Sequence, residues 1–371
     1  MTKLYLIRHA EAEGNLYRIA QGQYNSILTD RGWRQVRALE QRFRDVPIDA
    51  VYSSDLYRTC ATASALFQSK GLSLHRHPGL REIGVGDWEQ RTWGEIARLY
   101  PEQMENFNHR LHLWHAEGAE TPQHVLDRVL AAVREIASAN DGRTVAVFSH
   151  GCAIRLLLAE LQGIPLEQLD RTPVGDNTAV SLLEAEGGTL RVVFRDDNSH
   201  LKTAAYLADE KVRRRAVALE PGLYFEPLRL PDQTELLTGL VSAAWSDMGA
   251  PQPFDPETLL RDASARPTLV GCLNGEPVGV VQFGPAPGWL SLACIRADRR
   301  KRGFGVQLIG QAVQHFRPMG AEALRIMLRP GCGAGTFFLD NGFVPAGETA
   351  DGTVLEKDIR YLPEFLTGAS V

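Results

Sequence analysis

The chain has 371 residues, 44% hydrophobic and 23% charged, with a formal charge of -5 and a pI near 6.1. That balance is ordinary for globular protein, suits two domains at about 150 residues each, and leaves no global basic field for nucleic acid. Five scattered cysteines with no C-x-x-C pair argue against a disulfide framework or structural zinc site, and for a reducing compartment.

In chain order, KLYLI predicts a strand and TDRGWRQVRALEQRFR a helix, followed by strand AVYSS, helix DLYRTCATASALFQS, strand TVAVFS and a helix from GCAIRLLLAEL. This βαβα rhythm predicts an α/β domain with parallel strands over 1–205. The stretch from Thr92 through Ala137 reads as helical with a break at GAETP. Arg8, His9 and Glu11 interrupt the first apolar run before an h-region can form, and no segment reaches the roughly 18 apolar residues a spanning helix needs. A cytoplasmic chain is expected, with small-molecule partners and neither nucleic acid nor membrane among them.

A linker over 206–221 contains Arg213-Arg214-Arg215, read as a solvated basic cluster. From 222 to 371 a second pattern runs: strand LYFEPL, helix TELLTGLVSAAW, strands PTLVGCL and EPVGVVQF joined at the Asn274-Gly275 hairpin signal, and strand WLSLACI. Helix VQLIGQAVQHF, strand ALRIML and a strand near TVLEKDI follow, which suggests an α+β domain with a mixed sheet.

Three strand ends carry chemistry. Arg8 and His9 follow the first strand, and open α/β sheets bind ligands at such ends. His150 and Gly151 follow VAVFS and open a helix whose first turn is expected to offer free N–H groups to an anion. Arg58 falls in the first turn of the helix after AVYSS, and Glu82 precedes a glycine-rich loop. Two imidazoles, two guanidiniums and a carboxyl at one sheet edge point to a site that handles phosphoryl groups.

LIRHAEAEGN, QGQYNSILTDRG, YSSDLYRT, LREIGVGDWEQRTWGEI and FSHG together resemble the histidine phosphatase superfamily, which includes phosphoglycerate mutases and related phosphatases. The resemblance implies a phosphoglycerate mutase-like three-layer αβα sandwich with a mostly parallel sheet. It implies that His9 is the phospho-accepting nucleophile, that Arg8, Arg58 and His150 bind the phosphoryl group, and that Glu82 donates the proton. Asn15, Gln21, Gly22 and Gly151 fall at substrate-side positions. Asn25-Ser26-Ile27 departs from the family's Asp-x-Pro, and GAET replaces GGES. The segment between Glu82 and His150 lacks the extra length expected of a mutase, which favours hydrolysis of a small phosphorylated metabolite over mutase transfer. His109, His112 and His115 recur every third residue, but on one helix they would drift across a face with no carboxylate to complete a ligand set, so no metal is expected.

SLACIRADRRKRGFGVQLIGQAV runs from a strand through a basic turn, Arg300-x-x-Gly303-x-Gly305, into an amphipathic helix. Glycines and a helix N-terminus suit a pyrophosphate. With FFLDNGFVP, this stretch resembles a GNAT-type N-acetyltransferase domain. The resemblance implies a GNAT-like α+β fold and acetyl-CoA contacts at Ile295, Arg300, Lys301, Arg302, Gly303 and Gly305, with an unidentified amine as acceptor. Phe338 stands where the family often has a tyrosine general acid, so a non-catalytic acyl-CoA-sensing module is the rival reading. GCGAGT, residues 331–336, lacks the spacing and the following chain of a dinucleotide fingerprint. Whether the chain forms a homodimer is open at this level.

Overall fold

The computed structural model describes residues 1–209, 222–246 and 255–361, so the expected linker cluster Arg213-Arg214-Arg215 lies outside the described residues. The described residues fall into two compact units, 1–91 with 100–209, and 92–99 with 222–361. In chain order the first stretch holds β1 (Thr2–Arg8), α1 (Glu13–Tyr17), α2 (Asp30–Arg42), β2 (Ala50–Ser53), α3 (Tyr57–Phe67) and β3 (Leu74–Arg76). Then come α4 (Trp93–Leu99), α5 (Pro101–His109), α6 (Pro122–Ala139), β4 (Thr144–Ser149), α7 (Gly151–Leu161), β5 (Val180–Glu186), β6 (Thr189–Asp197) and α8 (Ala204–Asp209).

The first sheet has the order β3-β2-β4-β1-β5-β6. Pairings among β3, β2, β4 and β1 are parallel, as the βαβα rhythm predicts, while β5 and β6 add an antiparallel margin. The β5–β6 hairpin turns on Gly187 and Gly188, both at positive φ, the backbone that a two-residue hairpin loop needs. Strand β4 is buried on both faces from Val145 to Ser149, which requires a helical layer on each side. The helix pairs α2–α3 and α6–α7 supply those layers. Register is what positions the chemistry. Arg8 of β1 lies opposite Ser149 of β4, and Ser53 of β2 opposite Phe148, so the residues just past the three strands emerge side by side.

The second unit contains β7 (Tyr224–Pro227), α9 (Thr234–Ser246), α10 (Pro256–Ala265), β8 (Thr268–Leu273), β9 (Glu276–Phe283) and β10 (Trp289–Ile295). It continues through α11 (Gly305–Phe316), β11 (Ala323–Leu328), α12 (Gly335–Leu339), β12 (Val344–Thr349) and β13 (Gly352–Asp358). Its mixed sheet has the order β12-β13-β11-β10-β9-β8-β7. Asn274 and Gly275 both take positive φ between β8 and β9, as their hairpin signal requires. Strands β10 and β11 pair in parallel only at Trp289↔Arg325 and Leu290↔Ile326, whereas β11 pairs with β13 along its whole length. Beyond Leu290, β10 has therefore parted from β11. Among the described residues no helix is long and apolar enough to cross a membrane.

Candidate active site

His9 is the first residue past β1 and His150 the first past β4. Because those strands are parallel neighbours, the two rings meet with centroids 5.3 Å apart. His9 is 3% exposed and His150 fully buried. The Nδ1 atom of His9 lies 2.7 Å from the carbonyl of Ala10. A carbonyl only accepts, so Nδ1 carries the proton and Nε2 keeps its lone pair in the neutral ring. Burial, then the charges of Arg58 and Arg8, hold the His9 pKa well below the usual histidine value, so the ring is neutral at pH 7. His150 is shifted the same way by burial and by Arg58. Its Nε2 bonds Ser54 Oγ at 2.9 Å, and its Nδ1 is buried without a hydrogen-bond partner.

The guanidiniums are held by backbone carbonyls. Arg58, 1% exposed, donates to the carbonyls of Tyr24 at 2.9 Å and Gly22 at 2.7 Å, and its pKa is pushed down to about 10 mainly by burial, which leaves it charged. Arg8 donates to the Gly175 carbonyl. The Nε atoms of both arginines are buried and unpartnered. Gly151 makes room for Arg8: a Cβ at 151 would stand 3.2 Å from its Cζ and Nε.

The Glu82 carboxyl accepts from the N–H groups of Ile83 at 3.0 Å, Ala153 at 3.1 Å and Cys152 at 3.1 Å. This corrects the expectation that the first turn of α7 presents free N–H groups, since Glu82 occupies two of them. The same contacts bring Glu82 to the His150 end of α7, where it acts electrostatically on Arg8 and Arg58. The five expected groups thus converge. Of the substrate-side positions, Gly22 joins the cluster through its carbonyl on Arg58. Asn15 Oδ1 instead accepts from Ala12 N–H at 3.0 Å, and Gln21 Oε1 accepts from Ser26, so both side chains serve their own loop. His109 ends α5, while His112 and His115 lie in the following turns, so the three do not share one helix.

Sequence reasoning missed a supporting layer. Besides Ser54, Thr62 Oγ1 accepts from Ala10 N–H at 2.9 Å, and Asn177 Nδ2 donates to the His9 carbonyl at 2.9 Å. Arg128 donates to the carbonyls of Gly79, Arg81 and Glu82 at 2.7–3.0 Å and pairs with Glu120 at 2.8 Å, and so clamps the loop that carries Glu82. Ser54 was in principle legible, because AVYSS ends as VAVFSH does, in polar residues at a strand end.

In the second unit the expected cofactor residues have unequal surroundings. Ile295 is buried, and its carbonyl accepts from Arg300 Nε at 3.1 Å; Arg300 Nη2 donates to Ala244 at 2.6 Å. Lys301 and Gly303 take positive φ on an exposed turn, and Arg302 lies over the Phe304 ring at 5.6 Å. Gly305 opens α11, and a Cβ there would meet the Phe337 ring at 3.0 Å. Phe338 is 2% exposed, edge-on to Phe337 and Phe343, in the position of a core residue.

Residues 4–198 match the histidine phosphatase superfamily (branch 1), and residues 237–334 match the acetyltransferase (GNAT) family. The chain is 31% identical over 186 residues to phosphoserine phosphatase 1 of Hydrogenobacter thermophilus, covering 50% of this chain and 88% of that protein. It is 34% identical over 169 residues to the probable phosphoglycerate mutase GpmB of Proteus mirabilis, covering 44% and 77% respectively. The solved structure of Bacillus stearothermophilus YhfR is 33% identical, with a TM-score of 0.53, and the match covers 54% of this chain and all of that one. Strand-end histidines, buried arginines and these likenesses agree: the chain belongs to the histidine phosphatase superfamily and carries a domain of the GNAT acetyltransferase family behind it.

Proposed function

We propose that residues 1–205 hydrolyse a small phosphomonoester through a phosphohistidine at His9, and that residues 222–371, after the 206–221 linker, bind acetyl-CoA. One observation carries the first part: His9 is neutral, with its proton fixed on Nδ1, beside two buried guanidiniums whose Nε atoms have no partner. In this reading Nε2 attacks phosphorus, the phosphorus–oxygen ester bond breaks, and Glu82 gives a proton to the leaving oxygen. Glu82 then takes a proton from water as that water attacks phosphorus and the phosphorus–nitrogen bond breaks. Arg8, Arg58 and His150 stabilise charge on the equatorial oxygens throughout.

A panel of phosphorylated metabolites tested with wild type and His9→Ala, plus acid quench to trap labelled phosphate on His9, examines this. Hydrolysis that survives His9→Ala overturns it. Formation of an isomer without stoichiometric phosphate release replaces hydrolysis by mutase transfer.

The parting of β10 from β11 supports the second part, because it ends their ladder at Leu290 on the strand that leads into the Lys301–Gly303 turn and the start of α11. Lys301, Arg302 and the N–H groups around Gly303 and Gly305 would hold the pyrophosphate, and bound acetyl-CoA would supply an activated acyl group to an amine. Calorimetry with acetyl-CoA and a screen for acetylated amines separate transfer from sensing. Binding without turnover assigns a sensor, and lack of binding removes the acetyl-CoA reading.

A further inference from the structure

Thr178 is a β-branched residue at φ +61, a backbone region such residues rarely enter and one that persists only where its surroundings enforce it. Its position explains why enforcement matters. Strand β5 begins at Val180, which pairs with Ile7 at the end of its ladder with β1, and the loop before it wraps the Arg8–His9 step. Thr178 N–H donates to the carbonyls of Arg8 at 3.1 Å and His9 at 3.3 Å, Asn177 Nδ2 donates to the His9 carbonyl, and Gly175 accepts from Arg8. The left-handed φ at 178 sets the plane of the peptide whose N–H makes two of these contacts.

What holds that φ is a resolved chain of hydrogen bonds. Arg42 can only donate, so at 3.2 Å it gives a proton to His200 Nδ1. The His200 proton therefore sits on Nε2, which lies 3.0 Å from Thr178 Oγ1. The single hydroxyl proton of Thr178 goes to the Asn177 carbonyl at 2.7 Å, so Oγ1 accepts from His200. Every proton in the chain has one assignment. His200 is 5% exposed, and Arg42 is anchored by Asp197 at 2.6 Å.

We propose that Arg42, His200 and Thr178 are positioning residues for His9, a relay that locks the strained Thr178 backbone and so fixes the height and rotation of the Arg8–His9 step. This rests on the reading of His9 as the nucleophile. None of the three faces the reacting atoms; they act through the backbone at the end of β1.

The test sets two substitutions of one residue against each other. Thr178→Val keeps the β-branched bulk, and with it the strain, but removes the acceptor for His200. Thr178→Gly removes the acceptor and the strain together, since glycine takes φ +61 freely. With p-nitrophenyl phosphate and the full chain, Thr178→Val is expected to lower kcat about 10- to 100-fold, the cost of a misplaced reacting group, and Thr178→Gly less, with KM moving by under about threefold in both. The melting temperature is expected to follow the same order, glycine above valine. A side chain that served only to fill space gives the reverse, because valine is the closer isostere. His200→Phe, which keeps Thr178 and removes its donor, is expected to lower kcat as Thr178→Val does; wild-type kcat in His200→Phe, or valine equal to or better than glycine, with His9→Ala inactive, overturns the relay. Activity that survives His9→Ala instead overturns the phosphohistidine reading, and the melting order then still judges whether the relay locks the backbone.

Discussion

Acid should destabilise the first unit well above the pH at which carboxylates titrate. His9, His150 and His200 are at most 5% exposed, and burial is the main cause that lowers the pKa of each, His200 to about 4 and the other two well below the usual value. Unfolded, each would take up a proton near pH 6.5. The folded state binds fewer protons in the window between 6.5 and its own lower pKa, so the stabilising contribution is complete above pH 6.5 and is lost as pH falls through that window. Between pH 7.5 and 5.5 each group should cost about 1.4 kcal/mol, and the three together about 4 kcal/mol. That is a large share of the 5–15 kcal/mol typical of a domain. Asp55, Glu120 and Asp197 are shifted down as well; their contribution is present above the unfolded carboxyl pKa and is lost only below it, outside this interval. Native-state hydrogen exchange at β1 and β4 amides reports the unfolding free energy of this unit within the full chain. His200→Gln should reduce the loss by about a third, since one of three groups is gone. A change under about 1 kcal/mol across the two pH values, in amides that exchange by full unfolding, refutes neutral burial of these rings.

Three further outcomes follow from the site. Glu82→Gln should slow hydrolysis of an alkyl phosphate by about 10²–10⁴-fold, while trapping of phosphate on His9 from an activated aryl phosphate falls less; equal losses in both rule out a proton-donor role. Arg128→Met strands the partly buried Glu120 carboxylate and frees three carbonyls of the 79–82 loop, and urea titration should show a loss of about 3 kcal/mol that Glu120→Gln partly restores. Gly151→Ala sets a methyl group 3.2 Å from Arg8 Cζ, so kcat should fall about tenfold with far-ultraviolet circular dichroism unchanged.

Periodicity and strand-end chemistry made the parallel half of the first sheet and the five site groups legible, because each signal is local. LIRH and VFSH each hold a strand and its terminal side chain within a few residues, and parallel pairing does the rest. The β5–β6 hairpin carries a comparable local signal in Gly187-Gly188, and α10 opens on Asp255-Pro256, an N-cap followed by proline at the first helical position; both are legible in the sequence though absent from the expectations above. The supporting layer is different in kind. Arg128 reaches the Glu82 loop across 46 residues and His200 reaches Thr178 across 22, and no spacing rule links them. In the sequence Phe338 signifies only a missing hydroxyl, whereas its packed edge-on surroundings give the residue a structural reason to be there.

The basic turn RADRRKR shows where counting charges in a sequence misleads. Arg296 and Arg299 both pair with Glu276, roughly one hairpin upstream, at 2.5 and 2.7 Å, and Arg296 also pairs with Asp298. Arg300 is committed to two backbone carbonyls. Much of that positive charge is neutralised or engaged within the fold, so an anion there would depend on backbone N–H groups, Lys301 and Arg302. The first site is built the other way. Arg8 and Arg58 lie beside two rings held neutral; burial lowers the pKa of both, the charge of Arg8 lowers Arg58 further, and Glu82, joined by Asp176 and Asp196 at Arg8 and by Glu89 at Arg58, acts the other way. Buried cations in that state are costly unless a counter-ion completes them. In the proposed reading a phosphoryl group would be such a counter-ion, its charge spread over three equatorial oxygens as phosphorus passes between the ester oxygen and His9. On that reading, the burial that lowers the pKa of both guanidiniums would also strengthen their hold on an anion.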